Sequence, residues 1–312
     1  MIEIDALTKR YGATAVVDDV SMTVDEGTIT VIVGTSGSGK STLMRMINRL
    51  VEPSSGVIRI DGRPNTELPA YELRRRIGYA IQGHGLFPHR TVSENIATVP
   101  RLQGWDRARI ARRVEELLWL FQLDPAAFSD KYPHQLSGGQ QQRIGVARAL
   151  AAEPSLLLMD EPFGALDPII RGKAQDDLLA IQRRFGITTV LVTHDMEEAF
   201  RLGDRIAVMD RGRILQNARP VEILARPTTE FVQRLVGTGD RPFRILGMMK
   251  VADAVEPGEA GGPSLSADAS LRDAISDLVW AGREAAPVVG RDGAVLGRIS
   301  VAAMLRLGRA PA

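Results

Sequence analysis

The sequence predicts an α/β fold: a parallel sheet covered by helices on both faces, followed by a small second unit towards the C-terminus. Three observations point there. Apolar runs at residues 155–159, 188–193 and 206–209 are separated by helical segments, the pattern of βαβ units whose strands are buried on both sides. A strand-like run at 28–33 passes through a Gly/Ser cluster into a segment where Leu43, Ile47 and Leu50 recur at helical spacing. Near residue 240 the composition shifts, with Gly237, Gly239, Pro257, Gly258, Gly261, Gly262 and Pro263 marking a linker before a compact unit resumes at Leu265. A length of 312 residues suits one large domain with an appendage.

Taken in order, short β-like runs at 2–5 and 20–24 precede the run at 28–33, and others follow at 57–60 and 77–82. Residues 108–123 read as an amphipathic helix with Ile110, Val114, Leu117, Leu118 and Phe121 on one stripe. In the tail, Leu271, Ile275, Leu278 and Val279 give a helix face, 286–289 a strand, Arg291-Asp292-Gly293 a turn, 295–299 a second strand and 301–307 a short helix. Such an αββα unit is too small to bury much core alone, so it is expected to pack on something else, such as a copy of itself. The resulting division is a main domain at 1–236, a linker at 237–263 and a tail unit at 264–312.

Hydrophobic residues at 44% and charged residues at 25% exclude a mostly disordered or collagen-like chain. With 39 Lys+Arg against 38 Asp+Glu the net charge is +1, so no global field favours nucleic acid. The absence of cysteine excludes disulfides, thiol nucleophiles and Cys-based metal sites, and fits a reducing cytoplasm. No stretch approaches the roughly 18 apolar residues needed to span a bilayer, and the opening Met1-Ile2-Glu3-Ile4-Asp5 lacks the features of a secretory signal. His84, His89 and His134 have no metal-ligand spacing, and Trp105, Trp119 and Trp280 read as packing residues.

Chemistry concentrates in three places. Gly34-Thr35-Ser36-Gly37-Ser38-Gly39-Lys40-Ser41 satisfies G-x-x-x-x-G-K-[ST]. Its glycines let backbone N–H groups and the next helix start converge on phosphate oxygens, Lys40 adds a point charge, and Ser41 offers a hard oxygen to Mg2+. A Gly/Ser turn can merely join strand to helix, but this one sits between an apolar run and an amphipathic helix, where its mechanics require it. The second place is the run Leu156-Leu157-Leu158-Met159 ending in Asp160-Glu161, where the first carboxylate can stand beside a phosphate-bound Mg2+ and the second can polarise water. His194, closing the run at 188–193, is then in reach of the terminal phosphate or the water, although a lone histidine at a strand end is usually structural. The third is Leu136-Ser137-Gly138-Gly139-Gln140, a helix start offering a hydroxyl and free N–H groups to an anion. Two phosphate-facing helix starts in one chain suggest a sandwich in which each subunit completes the other's site.

Together these motifs resemble the ATPase subunit of an ABC transporter over roughly residues 1 to 235. The resemblance implies that Tyr11 stacks on adenine, that Gly34 to Thr42 form the Walker A loop, and that Gln82 lies near Mg2+. It makes Leu136 to Gln140 the signature motif and Asp160 the Walker B aspartate. Glu161 becomes the water-activating glutamate, Gly164-Ala165-Leu166-Asp167 the D-loop at a dimer interface, and His194 the switch histidine. The implied fold is a P-loop NTPase with an antiparallel β subdomain and a helical subdomain. ATP and Mg2+ are the implied ligands, with Ser41, Gln82 and Asp160 on the metal, and Glu161, His194 and Lys40 in the reaction. A homodimer of ATPase subunits follows, beneath separate permease subunits that dock near Gln82 to His89, on the cytoplasmic face of the plasma membrane.

More narrowly, Arg74 to Gln82, Leu86-Phe87-Pro88-His89, Glu94-Asn95-Ile96-Ala97 and Tyr132-Pro133-His134-Gln135-Leu136 resemble importers of quaternary-amine osmoprotectants such as glycine betaine, choline and carnitine. That implies an extracytoplasmic substrate-binding protein as a further partner, and no nucleic acid. The tail is similar to a CBS motif, present once, at 265–307, where two are usual. The alternatives are an importer ATPase for another small polar solute, such as an amino acid, or a soluble ABC ATPase of the DNA-repair or translation type. The latter would be expected to show a coiled-coil insertion, tandem cassettes or a basic excess, and none is visible.

Overall fold

The computed structural model describes residues 1–81, 85–164, 166–237 and 239–308. The chain forms two compact units, Met1–Pro220 and Val221–Ala312.

The first unit opens with a hairpin of β1 (Ile2–Tyr11) and β2 (Thr14–Val24). These strands run further than the apolar runs at 2–5 and 20–24 suggest. The pairing shifts register between Ile4 and Leu7, Leu7 and Lys9, and Lys9 and Arg10, and Ala6 and Asp19 take positive φ. Bulges of this kind break the two-residue alternation by which a strand is read. After β3 (Ile29–Val33) and α1 (Lys40–Ile47) come β4 (Ser55–Ile60) and the short β5 (Arg63–Pro64). They complete an antiparallel sheet of order β2-β1-β4-β5.

Helix α2 (Ala70–Arg76) leads into β6 (Ile77–Ala80), and a helical layer follows: α3 (Val92–Ile96), α4 (Thr98–Leu102), α5 (Arg107–Leu120), α6 (Pro125–Phe128) and α7 (Gly138–Leu150). Helix α5 is the amphipathic segment expected at 108–123; Asp106 accepts from the Arg109 N–H to start it, and Ile110, Val114, Leu117 and Leu118 are buried. Phe121, also buried, follows as its C-cap.

The remaining elements alternate: β7 (Leu156–Asp160), α8 (Pro168–Phe185), β8 (Thr188–Thr193), α9 (Met196–Leu202), β9 (Arg205–Asp210) and β10 (Arg213–Ala218). They build a sheet of order β10-β9-β3-β8-β7-β6, parallel except for the antiparallel edge β10. Every residue of β3, β7 and β8 is buried, as strands covered on both faces must be. Parallel pairing aligns Val33 with Thr193 and Asp160 with Val192, so three strands end side by side and their following loops share one edge of the sheet.

The second unit, after α10 (Pro220–Ala225), holds α11 (Glu230–Val236), α12 (Arg241–Met248), β11 (Leu265–Ser266), α13 (Leu271–Trp280), β12 (Ala285–Val289), β13 (Val295–Ser300) and α14 (Val301–Leu307). The Gly/Pro-rich stretch is narrower than composition suggests, since α12 lies inside 237–263. Its Leu246, with Val251 and Ala254, joins Leu271, Ile275, Leu278, Val288, Ile299 and Met304 in one core. Strand β11 pairs parallel with β12, adding a strand to the expected αββα order. Val279, expected on the buried helix face, is 66% exposed. Leu271, Ala274, Ile275 and Leu278 already fill the i, i+3, i+4, i+7 stripe, and Val279 falls beyond its margin.

Candidate active site

Strand β3 delivers the loop Gly34–Gly39 to the shared sheet edge. A Cβ on Gly34 would stand 2.0 Å from the Met209 carbonyl oxygen, and one on Gly39, at φ 103°, would stand 2.4 Å from the Val16 carbonyl oxygen. Neighbouring backbone from β9 and β2 therefore presses the loop into shape, and no side chain fits at either position. Thr35, Ser36 and Gly37 are exposed, while Ser38 and Lys40 are buried. Lys40 Nζ donates to the carbonyl oxygens of Gly34 at 2.9 Å and Thr35 at 2.8 Å. Burial pulls the Lys40 ammonium below the ordinary lysine range, against the opposing pull of the Glu161 and Asp160 carboxylates.

One residue further, the Ser41 hydroxyl donates to Asp160 Oδ1 at 2.9 Å, and Thr42 is half-buried beside it. Asp160 closes β7 at 2% exposure, with Arg45 of α1 3.7 Å from its other oxygen. Arg45 belongs to none of the sequence motifs, although it stands four residues after Ser41, which sets both on one helix face. Glu161 adopts φ 47°, donates its N–H to the Val192 carbonyl at 2.9 Å, and brings Oε2 to 3.4 Å from His194 Nδ1. A left-handed glutamate is strained, and the neighbouring strand holds it there. Glu161 and His194 thus meet at the ends of adjacent strands.

Tyr11, at the end of β1, is 54% exposed with Lys9 Nζ 5.1 Å from its ring centroid. Its strand partner Thr14 opens β2, whose Val16 abuts Gly39, so the hairpin stands against the loop. Asp167 caps α8 by accepting from the Ile170 N–H at 3.1 Å. Gln82, with Gly83 and His84, lies outside the described residues, as does Ala165.

Ser137, Gly139 and Gln140 start α7 elsewhere in the unit. Ser137 Oγ accepts from the Gln140 N–H at 3.3 Å, and Gln140 Oε1 accepts from the Ser137 N–H at 2.9 Å, a reciprocal cap. A hydroxyl that accepts here keeps its own proton to donate to an anion. Among the described residues, no hydrogen bond or ion pair joins these three to Lys40, Ser41 or Asp160. A Cβ on Gly139 would instead meet Ile170 at 3.0 Å.

The donor set fits its ligands: a glycine cradle and an ammonium for phosphate oxygens, and a hydroxyl with a buried carboxylate as hard oxygens for Mg2+. Fold and site together define an ATP-hydrolysing P-loop ATPase. The ABC transporter family model matches residues 17–164. The glycine betaine uptake system ATP-binding protein YehX of Escherichia coli (strain K12) is 51% identical over 300 residues, covering 96% of this chain and 97% of its own length. The glycine betaine/carnitine/choline transport ATP-binding protein OpuCA of Bacillus subtilis (strain 168) is 44% identical over 303 residues, covering 96% of this chain and 78% of the relative. Among solved structures, the dimeric structure of a bacterial ABC transporter cassette matches with a TM-score of 0.65 at 34% identity, over 70% of this chain and 99% of that one. A dimeric post-hydrolysis state bound to ADP and Pi matches with a TM-score of 0.64 at 33% identity, over the same shares. The chain belongs to the ATP-binding proteins of ABC transporters, and it is an ATPase that uses ATP with Mg2+.

Proposed function

We propose that the chain couples ATP hydrolysis to import of a quaternary-amine osmoprotectant of the glycine betaine, choline or carnitine type, through separate membrane subunits. The whole-length relatives named for that uptake support the substrate class. The observation that carries the chemistry is the alignment of three strand ends, which gathers Lys40, Ser41, Asp160, Glu161 and His194 at one edge. Lys40 and the loop amides hold the phosphates of ATP, and Tyr11 offers its exposed ring to the base. Ser41, Asp160 and Gln82 hold Mg2+, which supplies charge neutralisation at the phosphates. Glu161 orients the attacking water and accepts its proton, while His194, in reach of Glu161, steadies that carboxylate and the terminal phosphate.

Ser137, Gly139 and Gln140, with Asp167, serve the site of a second ATPase subunit in a homodimer. The similar cassette of the solved structure is dimeric, which supports that arrangement. Residues Gln82 to His89 dock the permease subunits, and with them the chain sits at the cytoplasmic face of the membrane beside an extracytoplasmic binding protein. Phe87 supports this reading: it is 38% exposed, and the buried Asn95 accepts from its N–H at 2.8 Å and donates to its carbonyl at 3.2 Å. We read 1–236 as the ATPase domain and 264–312 as a single CBS-like regulatory motif.

Glu161→Gln tests the catalytic core of this reading. It is expected to leave ATP affinity within about twofold while the hydrolysis rate falls ~100-fold or more, in the range of general-base removal. Nucleotide titration and phosphate release measure the two separately. Turnover at the parental rate would remove Glu161 from the role.

A further inference from the structure

Arg171 lies in the first turn of α8 and belongs to no motif. Its Nη2 donates to the Leu166 carbonyl at 3.0 Å, and its Nη1 stands 3.5 Å from Asp195 Oδ2. Asp195 follows His194 directly and starts α9, its Oδ1 accepting the N–H groups of Glu197 at 2.8 Å and Glu198 at 3.3 Å. His194 in turn meets Glu161 at 3.4 Å. These contacts close a ring: Glu161 and Leu166 belong to one loop, His194 and Asp195 to the next, and one guanidinium bridges the open side. Besides the bridge, Glu161 ties the two loops at this edge through its N–H to the Val192 carbonyl and its carboxylate to His194, which is 60% exposed. A planar fork suits the task because it reaches a carbonyl and a carboxylate at once, which a single ammonium does less well.

We propose that Arg171 is a positioning residue for ATP hydrolysis, holding the His194 imidazole against Glu161 by tying the Leu166 backbone to Asp195. The inference rests on the reading of Glu161 and His194 as the hydrolytic pair. Helices α8 and α9 have ties that do not involve Arg171. Arg201 Nη2 contacts Asp176 at 2.7 Å, and Gln175 Nε2 donates to Glu198 at 3.4 Å, so the surrounding packing survives removal of the guanidinium.

The test compares the full-length parent with R171A, R171K, H194A and the double variant R171A/H194A in single-turnover and steady-state ATPase assays. R171A and R171K are expected to lower kcat ~10-fold with KM for ATP within ~2-fold, a size typical of a lost contact between coupled residues. In the H194A background, R171A is expected to add no further loss, because its effect passes through the imidazole. R171A or R171K at parental kcat, or losses that multiply in the double variant, would overturn the inference while leaving the hydrolytic reading intact. H194A at parental kcat would overturn the hydrolytic reading itself. Should R171A not fold, R171K against H194A and R171K/H194A decides the same question.

Discussion

Glu198 shows how much of the site's support consists of buried polar groups. Its side chain is 5% exposed, and burial pushes its carboxyl above the ordinary value of 4.5. Asp195 pushes the same way, whereas Thr193, Gln175 and Arg171 pull it down. The folded state then holds this proton more tightly than the unfolded chain does. The group's contribution to stability is most favourable below 4.5 and declines as pH rises from there through the raised value. Glu198→Gln removes the titration, so its melting temperature relative to the parent is expected to climb as pH rises above 4.5; a difference that stays constant as pH rises from there would contradict the assignment. The motif residues Lys40, Ser41, Asp160, Glu161 and His194 are legible in the sequence because each type stands at a fixed place in a short pattern. Arg171 and Glu198 are not, because their partners Asp195 and Gln175 are set by how α8 meets α9, and nothing local encodes that.

Elements repeat the contrast between local and tertiary signals. Helix α7 announces itself by Ser137 and Gln140 at capping-box spacing, and the structure forms both hydrogen bonds. Ser137→Ala is expected to destabilise the ATPase unit by about 1 kcal/mol, the usual worth of an N-cap, read as a lower urea midpoint at unchanged slope. A midpoint equal to the parent's would mean that the cap carries no weight in the folded unit. Strands β3, β7 and β8 are readable as unbroken apolar runs, whereas β1 and β2 read short because bulges at Ala6 and Asp19 disturb their alternation. Helix α12 hides inside a Gly/Pro-rich stretch, since its value lies in the partners of Leu246, which come from α13, β12 and α14.

For the molecule as a whole, the second unit stands out because it has a core cluster of its own. Truncation after Gly239 removes every residue of its core cluster, which begins at Leu246. In proteoliposomes containing the assembled transporter, the truncated subunit is expected to keep ATP hydrolysis and lose the dependence of uptake on salt; an unchanged salt response would rule out a regulatory tail. Among the described residues, no helix is long and apolar enough to cross a membrane. The left-handed backbone at Glu161 carries a further consequence, for how such a protein evolves. At φ 47° glycine would rest more easily than glutamate, yet glycine has no acid to offer. On the role proposed for Glu161, selection for sturdiness and selection for turnover pull in opposite directions at this position, and a lineage released from the need to hydrolyse ATP would be expected to lose Glu161 early.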